Sequence, residues 1–291
     1  MDRGYQFKAS ELTLAEDGSL YHIRLFPKDI ADNIILVGDP KRVGLISCFF
    51  NDIELKRENR EIVTHTGVYN GKRITVMSTG MGVDNLDIVV TEIDACKNIN
   101  LSKRVLNEEQ ISLNIIRLGT TGAMQKSIDI NSFVCSKYVI GIDGMMWFYK
   151  NKASVMENTL QKEFVKFMQW GAPLPTPYAV SCSNELLEKI AFDMPKGITI
   201  TAPGFYGPQG REIRLPLYDN TINDRLPKFT YDNLQITNYE METSSLYCLG
   251  KNLGHNVLTI CNVIANRCNG SFDKNYQQSM NNLIQTVLDR M

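Results

Sequence analysis

The chain has 291 residues, enough for one large α/β domain or two ordinary ones and for a sizeable core. Its 31 basic side chains nearly balance its 32 acidic ones, and 43% of the residues are hydrophobic. A near-neutral, core-forming chain excludes a general electrostatic footprint for nucleic acid or an anionic membrane, so any bound anion must be met by locally placed arginines.

Residues 1–20 read as a polar N-terminal extension without the apolar stretch of a signal peptide, and no later apolar run is long enough to span a bilayer. A cytoplasmic protein with no membrane partner is expected. Short β-branched runs then alternate with helical patterns, the pattern of an α/β domain. Strands are expected at Ile34–Gly38, Glu61–Tyr69 and Arg73–Thr79. A helix follows through Leu86, Val89, Val90, Ile93 and Cys96, with Asp84 as its N-cap. The polar segment Asn100–Asn114 is expected to be a helical excursion or an exposed loop. Further strands are expected at Asn114–Gly119, Phe133–Ile140, Gly197–Ala202 and Val257–Val263. Pro173–Pro177 is a stiff connector, since proline fixes φ. Helices are expected at Asn184–Phe192, at Met241–Leu253 with Gly254 as the stop, and at Asp273–Met291. With no repeat and no linker, residues 1–291 read as a single domain. The seven cysteines are odd in number and contain no Cys-x-x-Cys pair, so they read as reduced core thiols.

Four segments carry candidate chemistry. Phe205-Tyr206-Gly207-Pro208-Gln209-Gly210-Arg211 combines an aromatic face, an amide and a guanidinium in a glycine-broken loop, a kit for gripping a flat heterocycle. Gly38-Asp39-Pro40-Lys41-Arg42 follows a strand, and Gly38 lets a ligand approach the backbone. Arg117, near the end of an apolar strand and before the turn-like Gly119-Thr120-Thr121-Gly122, needs an anionic partner, either a core carboxylate or a bound anion. Together the two glycine-and-arginine segments form a candidate oxyanion cradle. In Tyr239-Glu240-Met241-Glu242 the two carboxylates do not share a helix face, so one is free to cap the helix and the other to accept bonds from sugar hydroxyls. Neither a nucleoside-triphosphate loop nor a dinucleotide fingerprint is present. His22, His65 and His255 are far apart in sequence, and no metal-ligand spacing or catalytic serine elbow accompanies them.

Read together with Asn59-Arg60-Glu61, Ser78-Thr79-Gly80-Met81-Gly82 and Asn266-Arg267, these segments resemble the nucleoside phosphorylase-I family, most closely its uridine phosphorylase branch. The resemblance implies a single α/β domain with a central mixed, partly barrel-like sheet flanked by helices. It also implies reversible phosphorolysis of uridine to uracil and ribose 1-phosphate, with inorganic phosphate as co-substrate and no cofactor or metal. Phosphate would be held by Gly38, Arg42, Arg117 and Thr120, with Arg60 supplied by a neighbouring subunit of a homo-oligomer. Ribose would be held by Met241 and Glu242, and by His22, again from the neighbour. The base would meet Phe205, Gln209, Arg211 and Arg267, with Arg211, Gln209 and Arg117 carrying the catalysis. Purine-cleaving relatives place an aspartate after the late strand, where this chain reads Ala265-Asn266-Arg267, which favours a pyrimidine. A purine nucleoside phosphorylase, a water-using nucleosidase and a silent nucleoside-binding protein are the alternatives.

Overall fold

A computed structural model describes residues 4–291. The first half is built from β1 (Asn33–Val37), α1 (Pro40–Ser47), β2 (Asp52–Asn59), β3 (Ile62–Tyr69), β4 (Lys72–Ser78) and α2 (Val83–Asn98), then the small hairpin β5 (Ile99–Asn100) and β6 (Val105–Leu106), and β7 (Asn114–Ala123). The second half adds β8 (Phe133–Gly141), α3 (Asn158–Met168), β9 (Tyr178–Ser181), α4 (Asn184–Ile190), β10 (Lys196–Thr201) and α5 (Ile222–Arg225). It ends with β11 (Thr230–Tyr231), β12 (Leu234–Glu240), α6 (Thr243–Leu253), β13 (Asn256–Asn266), β14 (Ser271–Phe272) and α7 (Gln277–Arg290).

One mixed sheet runs β11-β12-β10-β8-β13-β7-β1-β4-β3-β2. An additional antiparallel pairing of β12 with β7 joins Asn238 to Ala123 and Tyr239 to Gly122. That contact closes β7, β13, β8, β10 and β12 into a ring, while β1, β4, β3 and β2 continue as an open wing. The expected α/β domain with a partly closed, helix-flanked sheet is what the chain forms. Ile115, Ile116 and Leu118 of β7 are fully buried, which is why this strand reads as an unbroken apolar run around Arg117. A large apolar cluster joins β1, β4 and β7 to α2, α6 and α7, and a second gathers Phe164, Phe229 and Tyr239 beside β10 and β12.

Several expectations are corrected. Gly119-Thr120-Thr121-Gly122 is strand, because β7 stays paired with β13 from Asn114 to Ala123 while β12 takes up its far end. Gly82, not Asp84, is the N-cap of α2, and its φ of 99° requires glycine. Asn100–Asn114 begins with a hairpin rather than a helix. The helix expected from Met241 starts at Thr243, and the last helix starts at Gln277. Strands β2 and β9 and helix α3 were not anticipated; β2 alternates between exposed and half-buried residues such as Lys56 and Arg57, so it carries no apolar signal. Five cysteines are buried and all seven are free, but Cys48 and Cys268 are exposed. In the N-terminal segment Leu12 and Leu20 are buried, and the Phe7 amide donates to the Arg104 carbonyl (2.8 Å). Among the described residues no helix is long and apolar enough to cross a membrane.

Helix α6 sets the N-terminal end of the site, and Gly250 determines how closely it approaches β13. A Cβ there would lie 2.4 Å from Val257 Cγ1. Helix propensity alone favours Gly250→Ala by about 1 kcal/mol, whereas overpacking costs about 1–3 kcal/mol. The substitution is expected to lower the urea midpoint; a raised midpoint would show that α6 can move off β13 freely.

Candidate active site

The ring closure brings the ends of β1, β7, β12 and β13 to one cavity of about 740 Å³. Gly38, Arg42, Arg117, Thr120, Phe205, Gln209, Arg211, Met241 and Glu242 all line it. Nine of the twelve residues singled out in the sequence therefore meet, although they come from four separated segments. A second cavity of about 610 Å³ lies on the other side of Arg211, but its wall is mostly proline, leucine, isoleucine and aromatic side chains, and of the expected residues it collects only Arg211.

At one end of the main cavity Arg117 sits mid-strand and buried, its guanidinium lying over Gly119 of β7. Gly119 lies on the same face two residues on, and a Cβ there would fall 2.2 Å from Arg117 Nη1, so only glycine leaves room. Arg117 Nη2 donates to Glu242 Oε2, Nη1 lies 3.4 Å from Glu240 Oε2, and Nη1 also donates to Cys261 Sγ (3.7 Å). The core-carboxylate partner is thus present. Burial opposes the Arg117 charge, but Glu242 and then Glu240 outweigh it and hold the guanidinium above its ordinary range. Burial raises the Glu240 carboxyl, against the pull of Arg117. The Cys261 thiol is pushed up to about 12, mainly by burial, and is no nucleophile at neutral pH.

The two carboxylates divide their work. Glu240 Oε2 accepts from the Glu242 and Thr243 amides (2.9 and 2.8 Å) and so caps α6, while its Oε1 accepts from Thr201 Oγ1. Glu242 Oε1 accepts from the Gly82 amide (2.9 Å), and Oε2 accepts from the Met241 amide (3.3 Å) as well as Arg117. Glu242 is therefore pinned by donors from β4's exit loop, β7 and its own turn, with acceptor capacity left for a ligand.

Arg42 is different. It is 8% exposed, donates to the Leu118 carbonyl oxygen (3.2 Å), and among the described residues forms no ion pair. Burial depresses its guanidinium below the ordinary range, and the like charge of Arg117 adds to that. Its elevation onto α1 follows from Asp39, whose side chain accepts from the Lys41 amide (2.9 Å) and caps the helix, with Pro40 at the first helical position. A buried cation that shares a cavity with Gly38 and Thr120, and has no counter-ion among the described residues, has the chemistry to take an anion.

At the other end the Phe205–Arg211 loop is held by a short 3₁₀ turn, Gly207–Gln209. Arg211 lies over the Phe205 ring, 3.7 Å from its centroid, so that ring face meets a guanidinium. Gln209 is buried at 3% exposure, and its Oε1 accepts from Arg211 Nη1 (2.7 Å) and Arg267 Nη2 (2.8 Å). The Gln209 side-chain oxygen is thus engaged by two guanidinium groups. Burial lowers the Arg211 guanidinium. Burial, and then the charge of Arg211, push Arg267 down to about 10, so it remains cationic at neutral pH.

Three expected residues do not line this cavity. Arg267 stands behind Gln209 and against the Tyr239 ring, 4.8 Å from its centroid. Arg60, at φ 55° in the β2–β3 turn, lies 5.8 Å from the Tyr21 ring centroid. His22 Nδ1 pairs with Glu92 Oε1. Conversely, Tyr239 and Phe272 line the cavity without having been assigned a role, and Glu240, which caps α6, lines it as well. Tyr239 could have been found from its place beside Glu240; Phe272, on the two-residue strand β14, gives no sequence signal. Among the described residues no group of three or more His, Cys, Asp or Glu side chains is placed to hold a metal.

Similarity to known proteins covers almost the whole chain. A uridine phosphorylase of Thermococcus kodakarensis is 29% identical over 275 residues, 92% of this chain and 85% of that protein. A DeoD-type purine nucleoside phosphorylase of Bacillus cereus is 26% identical over 272 residues, covering 92% of this chain and 97% of its own length. Among solved structures, a Trypanosoma brucei nucleoside phosphorylase described as having uridine phosphorylase activity superposes with a TM-score of 0.84 at 27% identity, covering 96% of this chain and 98% of that one. The Phosphorylase superfamily matches residues 32–290, a span that takes in every strand and helix from β1 to α7, and the chain therefore belongs to that superfamily.

Proposed function

We propose that the protein catalyses reversible phosphorolysis of uridine to uracil and ribose 1-phosphate. The observation that carries this reading is the counter-ion-free Arg42 beside Arg117, set in one cavity with a pinned carboxylate and a guanidinium-amide grip. Phosphate fits the Gly38, Arg42, Arg117 and Thr120 end, where its charge would offset the burial cost of Arg42. The ribose hydroxyls fit Glu242 and the Met241 backbone. The base fits the Phe205, Gln209 and Arg211 end.

In this arrangement a phosphate oxygen forms a bond to C1′ as the C1′–N1 bond breaks, and the bonding pair leaves with the base. Positive charge grows on the ribose while negative charge grows over the pyrimidine ring and its carbonyl oxygens. Phosphate meets the first, and donors from Gln209 and Arg211 meet the second, so both interactions strengthen toward the transition state. Arg117 serves two groups at once: it holds Glu242 in position for the ribose and adds its charge to the anion end. Holding both reactants in one cavity supplies the orientational share of the rate.

A pyrimidine is favoured because the stretch Val263–Arg267 offers the cavity no acid: Ile264 and Ala265 line it, and the Asn266 amide is spent on the Gln125 and Ile128 carbonyl oxygens (2.9 and 2.7 Å). His22 and Arg60 do not reach the cavity of their own chain, which is consistent with their donation to a neighbour's site in a homo-oligomer. A cytoplasmic setting matches reduced thiols and a phosphate co-substrate.

Uracil release from uridine is expected only when phosphate is present, measured by the loss of uridine absorbance; equal rates in phosphate-free buffer would indicate hydrolysis instead. Arg42→Gln removes one charge-assisted contact of about 1.5–3 kcal/mol and should raise KM for phosphate about 10- to 100-fold while leaving KM for uridine within about twofold. Arg117→Ala should fail more broadly, since it also leaves Glu240 and Glu242 unpaired in the core, at about 3–5 kcal/mol of stability. Denaturation with the folding midpoint of the parent would remove that assignment.

A further inference from the structure

Asp143 stands just after β8 and lines neither cavity. Its Oδ1 accepts from the Met145 amide (2.8 Å) and the Tyr178 hydroxyl (2.9 Å), and its Oδ2 accepts from Ser244 Oγ (2.9 Å). Tyr178 and Ser244 are fully buried and their hydroxyl oxygens lie 2.9 Å apart, so both protons can point at one carboxylate. A Cβ at Gly141 would fall 2.5 Å from the Tyr178 ring and 2.8 Å from Asp143 Oδ2, so glycine leaves the room that these three groups need. Burial raises the Asp143 carboxyl, and the Met145, Ser244 and Tyr178 donors oppose that. Ser244 lies in the first turn of α6. Its amide donates to Thr201 Oγ1 (3.0 Å), and Thr201 Oγ1 donates in turn to Glu240 Oε1. Asp143, through Ser244 Oγ, and Glu240, through the Glu242 and Thr243 amides, therefore grip the same first turn, and Met241 and Glu242 at its start line the main cavity.

We propose that Asp143 is a positioning residue for the ribose end of the cavity: acting through Ser244, it sets where the first turn of α6 stands and with it the placement of Glu242. The inference rests on the nucleoside reading of the cavity and deepens it. Donors from Gly82, Met241 and Arg117 aim the Glu242 carboxylate, but its backbone is placed by α6, and this contact ties the start of α6 to the end of β8. A misplacement of about 1 Å is enough to cost an oriented site about 100-fold in rate. The substitution Asp143→Asn isolates the link. The Met145 amide is a fixed donor, so the asparagine oxygen stays on that side, and the NH₂ replaces the oxygen that faces Ser244. Ser244 then loses this acceptor while the shape of the residue is kept.

The test is a double-mutant cycle of Asp143→Asn and Ser244→Ala, read as kcat/KM for uridine and for 2′-deoxyuridine and as KM for phosphate, with each variant's thermal midpoint recorded. Asp143→Asn alone is expected to lower kcat/KM for uridine about 10-fold, on the scale of one charge-assisted hydrogen bond, and to leave KM for phosphate within about twofold. With 2′-deoxyuridine, which offers Glu242 one hydroxyl fewer, the loss is expected to stay below about threefold. A role in stability alone would lower the thermal midpoint and leave that ratio unmoved. In the Ser244→Ala background Asp143→Asn is expected to change kcat/KM by less than about twofold, because the link is already cut. Multiplying losses would overturn the proposal, as would equal losses for the two nucleosides or an Asp143→Asn enzyme with unchanged kcat/KM. Should Asp143→Asn not fold, Ser244→Ala, which deletes a single oxygen, is expected to show the same selective loss by itself, and equal losses there overturn the proposal. A parent enzyme that cleaves no nucleoside with phosphate would remove the nucleoside reading and this role together. If it prefers a purine nucleoside, only the pyrimidine reading fails, and the cycle run with that nucleoside and its 2′-deoxy form still decides the role of Asp143.

Discussion

The buried contact of Arg117 with Glu242 and Glu240 is the interaction around which this molecule is organised. It joins the middle of β7 to the turn between β12 and α6, two parts of the chain more than a hundred residues apart. A guanidinium and two carboxyls in the core are costly on their own, and the cost is offset by their partners: Thr201, the Glu242 and Thr243 amides, the Gly82 and Met241 amides and Cys261. That requirement constrains the fold. The β12–β7 pairing must close the ring at Tyr239 and Gly122, Gly119 must lack a side chain, and α6 must start at Thr243 for its amides to meet Glu240.

The site follows from the same constraint. Once Arg117 is engaged by Glu242 its charge is largely compensated, whereas Arg42 has no counter-ion among the described residues. Arg117 is held by two carboxylates, whereas Arg42 meets only a backbone carbonyl oxygen among the described residues. The far end of the cavity repeats this division. Arg211 faces the cavity and stacks on Phe205, while Arg267 stands behind Gln209 and stacks on Tyr239. Both ends therefore pair a guanidinium that orders its neighbours with one that lines the space between them.

Much of this was legible in the chain because the chemistry is written in short segments. Gly38 with Arg42, Arg117 with Thr120, and Phe205 with Gln209 and Arg211 each combine residue types suited to binding, and these seven residues line one cavity. The apolar strands were legible for the ordinary reason that buried strands are uninterrupted hydrophobic runs. β2 was not, since an edge strand facing water alternates polar residues and resembles a loop. Gly119-Thr120-Thr121-Gly122 was misread as a turn because glycine in a strand and glycine in a turn look alike until the neighbouring strands are known.

The sequence by itself determined which groups are available: the arginines, the two carboxylates one residue apart and the glycine-broken loop, along with an α/β alternation that brings strand ends together. Only the tertiary structure decided how they are shared. That Arg117 is bound to Glu242 while Arg42 is unpaired, and that Arg267 faces Gln209 and not the cavity, depends on distances between segments far apart in the chain. Spacing along a strand fixes the face on which a side chain emerges, but its charge state and its partner are set by whatever the ring closure places opposite it.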